Sequence, residues 1–117
     1  MEKNIKKELL NIKEETDNKL TIAVIDDILN MTDTDDDILS YINDVVYHGC
    51  VSGKVSSLTY YYDTEKFFKE YTEEIFDLMN EYKENFGEYP NIELNSNNLA
   101  WFGYESICYE LLNQLEE

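Results

Sequence analysis

Between Thr64 and Gly87 the sequence sorts its side chains into two separate sectors, and among regular structures only a helix has the period that does so. At about 100° per residue, with Glu70 as origin, Phe67, Phe68, Tyr71, Ile75, Leu78, Met79, Tyr82 and Phe86 fall between about 60° and 180°. On the same wheel Glu70, Glu73, Glu74, Asp77, Glu81 and Glu84 fall between about −60° and +40°. A strand would put neighbours such as Phe67 and Phe68 on opposite faces. The segment is therefore expected to be one long helix, apolar inward and acidic outward. Asp63 or Thr64 supplies its cap, Gly87 its stop and Pro90 the break beyond.

Apolar spacing of three and four recurs along the rest of the chain. Ile5, Leu9, Leu10 and Ile12 mark a first, lysine-bearing helix, and Leu20, Ile22, Val24, Ile25, Ile28 and Leu29 mark a second. The β-branched residues at 22, 24 and 25 keep a short strand or hairpin near residues 20–26 as the alternative. Ile38, Leu39, Ile42, Val45 and Val46 give a third helix closed by Gly49, and Val55, Leu58, Thr59 and Tyr62 give a short helical face. A final helix opens near Asn95 or Ser96 and carries Trp101, Tyr104, Cys108, Leu111 and Leu115. These elements predict an all-α fold, a bundle of about five helices. Residues 1–117 are expected to form a single domain, with a lysine-containing helix in 1–19 and an acidic helical core in 20–117. Phe68, Ile75, Leu78, Tyr82, Trp101, Cys108 and Leu111 are the expected core.

The charge is unevenly placed. The chain has 117 residues, 26 acidic against nine basic, for a net charge of −17. Residues 1–19 balance five lysines with five acids, so the whole excess lies in residues 20–117, where Lys54, Lys66, Lys69 and Lys83 face 21 acids. There is no arginine. Phosphate contacts need cationic side chains, so direct binding to nucleic acid is not expected, nor is binding to an anionic membrane. The apolar runs fall far short of the ~18 residues a membrane span needs, and the charged N-terminal stretch does not read as a signal peptide. A cytoplasmic protein is expected, with Cys50 and Cys108 reduced.

Constellations that could carry chemistry are incomplete. Asp33, Asp35, Asp37 and Asp44 stand at positions 1, 3, 5 and 12 of a calcium loop. However, Ile38 occupies the position that needs glycine, and the twelfth position lacks its long glutamate. The Asp run fits better as the N-terminus of the third helix, and with Asp26 and Asp27 it forms a second acidic zone. The Gly49-Cys50-Val51-Ser52-Gly53-Lys54 run has its glycines too close together for a phosphate loop, and Val55 replaces the hydroxyl residue. His48 and Cys50 lack a third orienting group and the further ligands that zinc requires. No enzyme, cofactor or metal site is expected.

At the same residues a family resemblance enters. His48-Gly49-Cys50-Val51-Ser52-Gly53-Lys54-Val55-Ser56-Ser57-Leu58, followed by Tyr60-Tyr61-Tyr62-Asp63-Thr64, resembles a motif of small phage and prophage proteins of uncharacterised function. Leu99-Ala100-Trp101-Phe102 resembles their C-terminal helix, and the similarity covers residues 38–112. It implies a phage or mobile-element origin and brings no catalytic residues.

The acidic stripe is expected to be the working surface. Its six carboxylates are spread over about 21 Å, one per ~4 Å, close to the ~3.4 Å charge spacing of one DNA strand. Like charges at such spacing cost a helix tenths of a kcal/mol each, so folding alone does not account for them. The expected partner-binding residues are Glu70, Glu73, Glu74, Asp77, Glu81 and Glu84, then Asp35, Asp36 and Asp37, with Tyr60 and Tyr61 adding amphipathic contact. The expected function is inhibition of a basic, nucleic-acid-binding host defence protein, a CRISPR effector nuclease or restriction enzyme, by mimicry of DNA. The alternative is a phage accessory or scaffold module whose acidity only maintains solubility; a homodimer is compatible with either.

Overall fold

Six helices follow one another in the computed structural model, which describes residues 4–48 and 63–116. They are α1 (Ile5–Glu15), α2 (Lys19–Met31), α3 (Asp35–His48), α4 (Thr64–Glu70), α5 (Thr72–Phe86) and α6 (Ser96–Glu116). The described residues contain no strand, and the fold is all-α. Residues 20–26 lie within α2, which corrects the strand alternative. Asn18 caps that helix through its side-chain oxygen, accepting from the Leu20 and Thr21 N–H groups, and Leu20, Val24, Ile25 and Ile28 bury one face. Burying that stripe against neighbouring helices outweighs the modest strand preference of its β-branched members.

The 21-residue α6 is the longest helix, and the others gather around it. Leu99, Ala100, Trp101, Tyr104, Ile107, Cys108, Leu111, Leu112 and Leu115 are all buried, so α6 is covered on several sides. Gly103 lets α5 come close, because a Cβ built there would lie 2.7 Å from Ile75 Cγ1. Helix α1 belongs to the same core through Ile5 and Leu9.

The expected single helix over 64–86 is two helices. Tyr71 ends α4 and begins α5 with φ −115° and ψ 25°, outside the helical region. The neighbouring Thr72 hydroxyl donates to the Phe68 carbonyl at 2.6 Å and meets the Lys69 carbonyl at 3.2 Å, taking up backbone acceptors at the break. A threonine bonding back four residues bends helices in this way. Both outer boundaries stand as expected: Asp63 accepts from the Glu65 N–H at 3.0 Å, and Gly87 closes α5 with φ 82°, a left-handed conformation that glycine adopts without steric cost.

Burial follows the apolar sector through the first half of α5 and then departs from it. Ile75 and Leu78 are buried, as are Trp101, Cys108 and Leu111. Phe68 and Tyr82, also expected in the core, are only half-buried, and Phe86 is 67% exposed. The last buried residues of α5 are Leu78 and Met79, so its final two turns outrun the packed interior.

Candidate partner interface

The outward carboxylates of α5 keep their common sector after the break at Tyr71. Glu73, Asp77, Glu81 and Glu84 are exposed, Glu74 is half-buried, and the five span about 100° of the helix and about 16 Å of its length. Glu70 is also exposed but ends the separate helix α4, so the six-residue stripe is interrupted at its N-terminal end. The one lysine of α5, Lys83, holds its ammonium 4.6 Å from the centre of the Tyr89 ring. Helix α5 begins with Glu73 and Glu74 and ends with Lys83, so its terminal charges suit the helix dipole while its middle carries the unneutralised acids.

The second acidic zone has a different character from the one its composition suggests. Asp35 accepts the Ile5 and Lys6 N–H groups at 3.0 and 3.2 Å, so it caps α1 from the start of α3 while Asn4 takes the Lys7 N–H. Asp37 and Thr34 form a reciprocal cap: Asp37 accepts from the Asp33 and Thr34 N–H groups, and the Thr34 hydroxyl accepts from the Asp37 N–H. These bonds to its charged form hold the Asp37 carboxyl below the ordinary range. Asp26 pairs with Lys13 at 2.6 Å. Of the three expected contact residues in this zone, Asp35 and Asp37 have structural work and Asp36 is exposed. No group of three or more His, Cys, Asp or Glu among the described residues is arranged to hold a metal ion.

Asp27 is buried, with 5% of its surface exposed. Its carboxylate accepts the Tyr104 hydroxyl, and the Tyr41 hydroxyl, 3.5 Å from the same carboxylate, donates to the Tyr104 oxygen at 2.7 Å. Burial, with the charges around it, pushes the Tyr104 hydroxyl well above its ordinary range. Burial likewise raises the Cys108 thiol, helped by the charges of Asp27 and Glu105. The sequence carried a signal for this arrangement: Asp27 falls seven residues after Leu20, on the helical face that also carries Val24 and Ile28.

A groove that the sequence reading missed runs between α5 and α6, with a volume of about 610 Å³. Glu81 brings the acidic face of α5 to its edge, and Tyr82 and Phe86 line it from the same helix. Phe102, Tyr109 and Glu110 contribute from α6. Their spacing of seven, then one, is legible as a second face of α6, but nothing in it says that the face meets the end of α5. Loss of water beside the groove raises the Glu110 carboxyl above its ordinary range, and the negative charge of Glu81 raises it further. Tyr60, Tyr61 and Cys50, and the glycine run at 49–54, lie outside the described residues.

Residues 2–117 match a family model described as a domain of unknown function (DUF7222). No curated protein and no solved structure matches the chain. The match includes the lysine-bearing first helix, which the resemblance over residues 38–112 left out.

Proposed function

The chain belongs to the DUF7222 family, whose description assigns no chemistry, and from its surface we propose that it is an inhibitor that binds a basic, nucleic-acid-handling protein. The observation that carries this reading is the exposed array of Glu73, Asp77, Glu81 and Glu84 on one sector of α5, whose single lysine is turned to Tyr89. Such an array presents one negative charge per about 5.5 Å of axis, sparser than the ~3.4 Å of a nucleic-acid strand but with no lysine of α5 in its sector. It would occupy a basic groove, with long-range attraction speeding encounter and the aromatic residues beside it supplying close contact. The protein does no bond chemistry in this reading. The phage-like motif points to a host defence target, a CRISPR effector nuclease or restriction enzyme in the bacterial cytoplasm.

The test is a pull-down from bacterial lysate at low and high salt, with the parent protein and a Glu73→Gln/Asp77→Asn/Glu84→Gln variant. A basic nuclease recovered by the parent at low salt, and lost both in high salt and in the variant, supports the reading. If the variant recovers the same partner at either salt, the acids only solvate the helix, and a phage accessory module docking through aromatic residues takes its place.

A further inference from the structure

We propose that the groove between α5 and α6 is a receptor for an arginine side chain of the basic partner, the guanidinium entering between the Glu81 and Glu110 carboxylates against the ring wall of Tyr82, Phe86, Phe102 and Tyr109. This deepens the reading above and rests on it, since it names the group on the partner that the acidic surface takes in.

The wall is a preformed aromatic cluster: the Tyr82 and Phe86 ring centres are 4.6 Å apart with their planes tilted by 42°, and Phe102 meets Tyr82 edge-on at 6.2 Å. Phe86 and Tyr109 are 67% and 57% exposed, an amount of aromatic surface in water that burial within the fold does not explain. Carboxylates beside aromatic faces form a site for a cation that is both planar and weakly hydrated. A guanidinium is both, stacking on rings while its fork of N–H groups meets carboxylate oxygens, whereas an ammonium is a strongly hydrated point charge. Glu81 and Glu110 repel one another across the groove, and a cation placed between them relieves that repulsion. The occupant is not a second copy of this chain, which has no arginine and carries −17 of its own.

The probe is a blocked pentapeptide of four glycines around one arginine, titrated at millimolar concentration while the ring resonances of Tyr82, Phe102 and Tyr109 are followed by NMR. Saturable shifts confined to those rings are expected. Replacing the arginine by neutral, isosteric citrulline, or the protein by its Glu81→Gln/Glu110→Gln variant, should weaken binding about tenfold. Equal binding of the citrulline peptide, tighter binding of a peptide with lysine in place of the arginine, or shifts spread along Glu73, Asp77 and Glu84 overturns the proposal. So do ring shifts that follow protein concentration without peptide, which would mark self-association. The same titration on the Glu73→Gln/Asp77→Asn/Glu84→Gln variant separates the two readings. If groove binding persists there while the parent's pull-down yields no basic partner, the inhibitor reading falls and the arginine receptor stands. If the groove never responds while the pull-down succeeds, the receptor falls alone.

Discussion

The Tyr104 hydroxyl of α6 donates to the Asp27 carboxylate of α2, joining two helices across 77 positions of sequence inside an otherwise apolar core. A carboxylate in that position must have partners, because an unpaired buried charge costs several kcal/mol. Tyr41 brings α3 into the same network, so three helices share one polar contact.

Tyr104→Phe removes the closer donor to Asp27 and keeps the ring. It should destabilise the protein by about 1 to 3 kcal/mol, as expected when a buried carboxylate loses a hydrogen bond. Tyr41→Phe should cost less, since it removes a bond to the neutral Tyr104 oxygen at 2.7 Å and leaves the closer donor to the Asp27 carboxylate in place. Urea midpoints of the two variants check the order. Equal, negligible effects would mean that water or another donor replaces the tyrosine without cost.

Glycine within a helix ordinarily costs about 1 kcal/mol relative to alanine, so Gly103→Ala would stabilise an exposed helix. Here the new methyl meets Ile75 Cγ1 at 2.7 Å, and overpacking of this kind costs about 1 to 3 kcal/mol. The variant should be destabilised, and Ile75→Ala, which removes the Cγ1 that the new methyl meets, should cost less in the Gly103→Ala background than in the parent. A double-mutant cycle in urea measures that coupling.

Asp35→Ala leaves the Ile5 and Lys6 N–H groups without their acceptor and should cost about 0.5 to 2 kcal/mol, the usual range for a lost cap. Amide hydrogen exchange should quicken first at those two residues. Asp36→Asn, one position along on an exposed side chain, should change neither stability nor exchange.

Two carboxyls give stability opposite slopes with pH. The Asp37 carboxyl is lower in the folded protein than unfolded, so its contribution is present above its unfolded value and is lost as pH falls through the folded one. The Glu110 carboxyl is raised, so the folded state binds that proton more tightly and stability is lost as pH rises through its range. Asp37→Asn should flatten the acid limb of a denaturation series run from about pH 2 to about pH 6, and Glu110→Gln should raise stability at neutral pH. A steeper acid limb in Asp37→Asn would contradict the capping role.

Cys108 is fully buried, and its thiol is raised by that burial, so the native protein holds almost no reactive thiolate there. In a Cys50→Ser background, thiol reagents should modify Cys108 only as fast as the protein opens. Modification at the rate of free cysteine would place the thiol outside the core.

The sequence by itself determined the helical class, the caps at Asp63 and Gly87, and the acidic face of α5, because these depend on local periodicity and on side chains reaching their own backbone. The buried stripe of α2 was legible as well, although its β-branched residues also allowed a strand. What lay beyond it depends on distant neighbours. Nothing local marks the break at Tyr71, since Thr72 bonds back within many unbroken helices, and neither glycine nor proline is present there. Asp35 read as a surface acid but caps α1, 30 positions away, and although the helical period put Asp27 on the buried face of α2, its partner Tyr104 lies 77 positions away. The groove is a property of two helices together: Glu81 lines it from α5 and Glu110 from α6, 29 positions apart in sequence. Periodicity specifies which face a helix presents, and tertiary packing alone decides what that face meets.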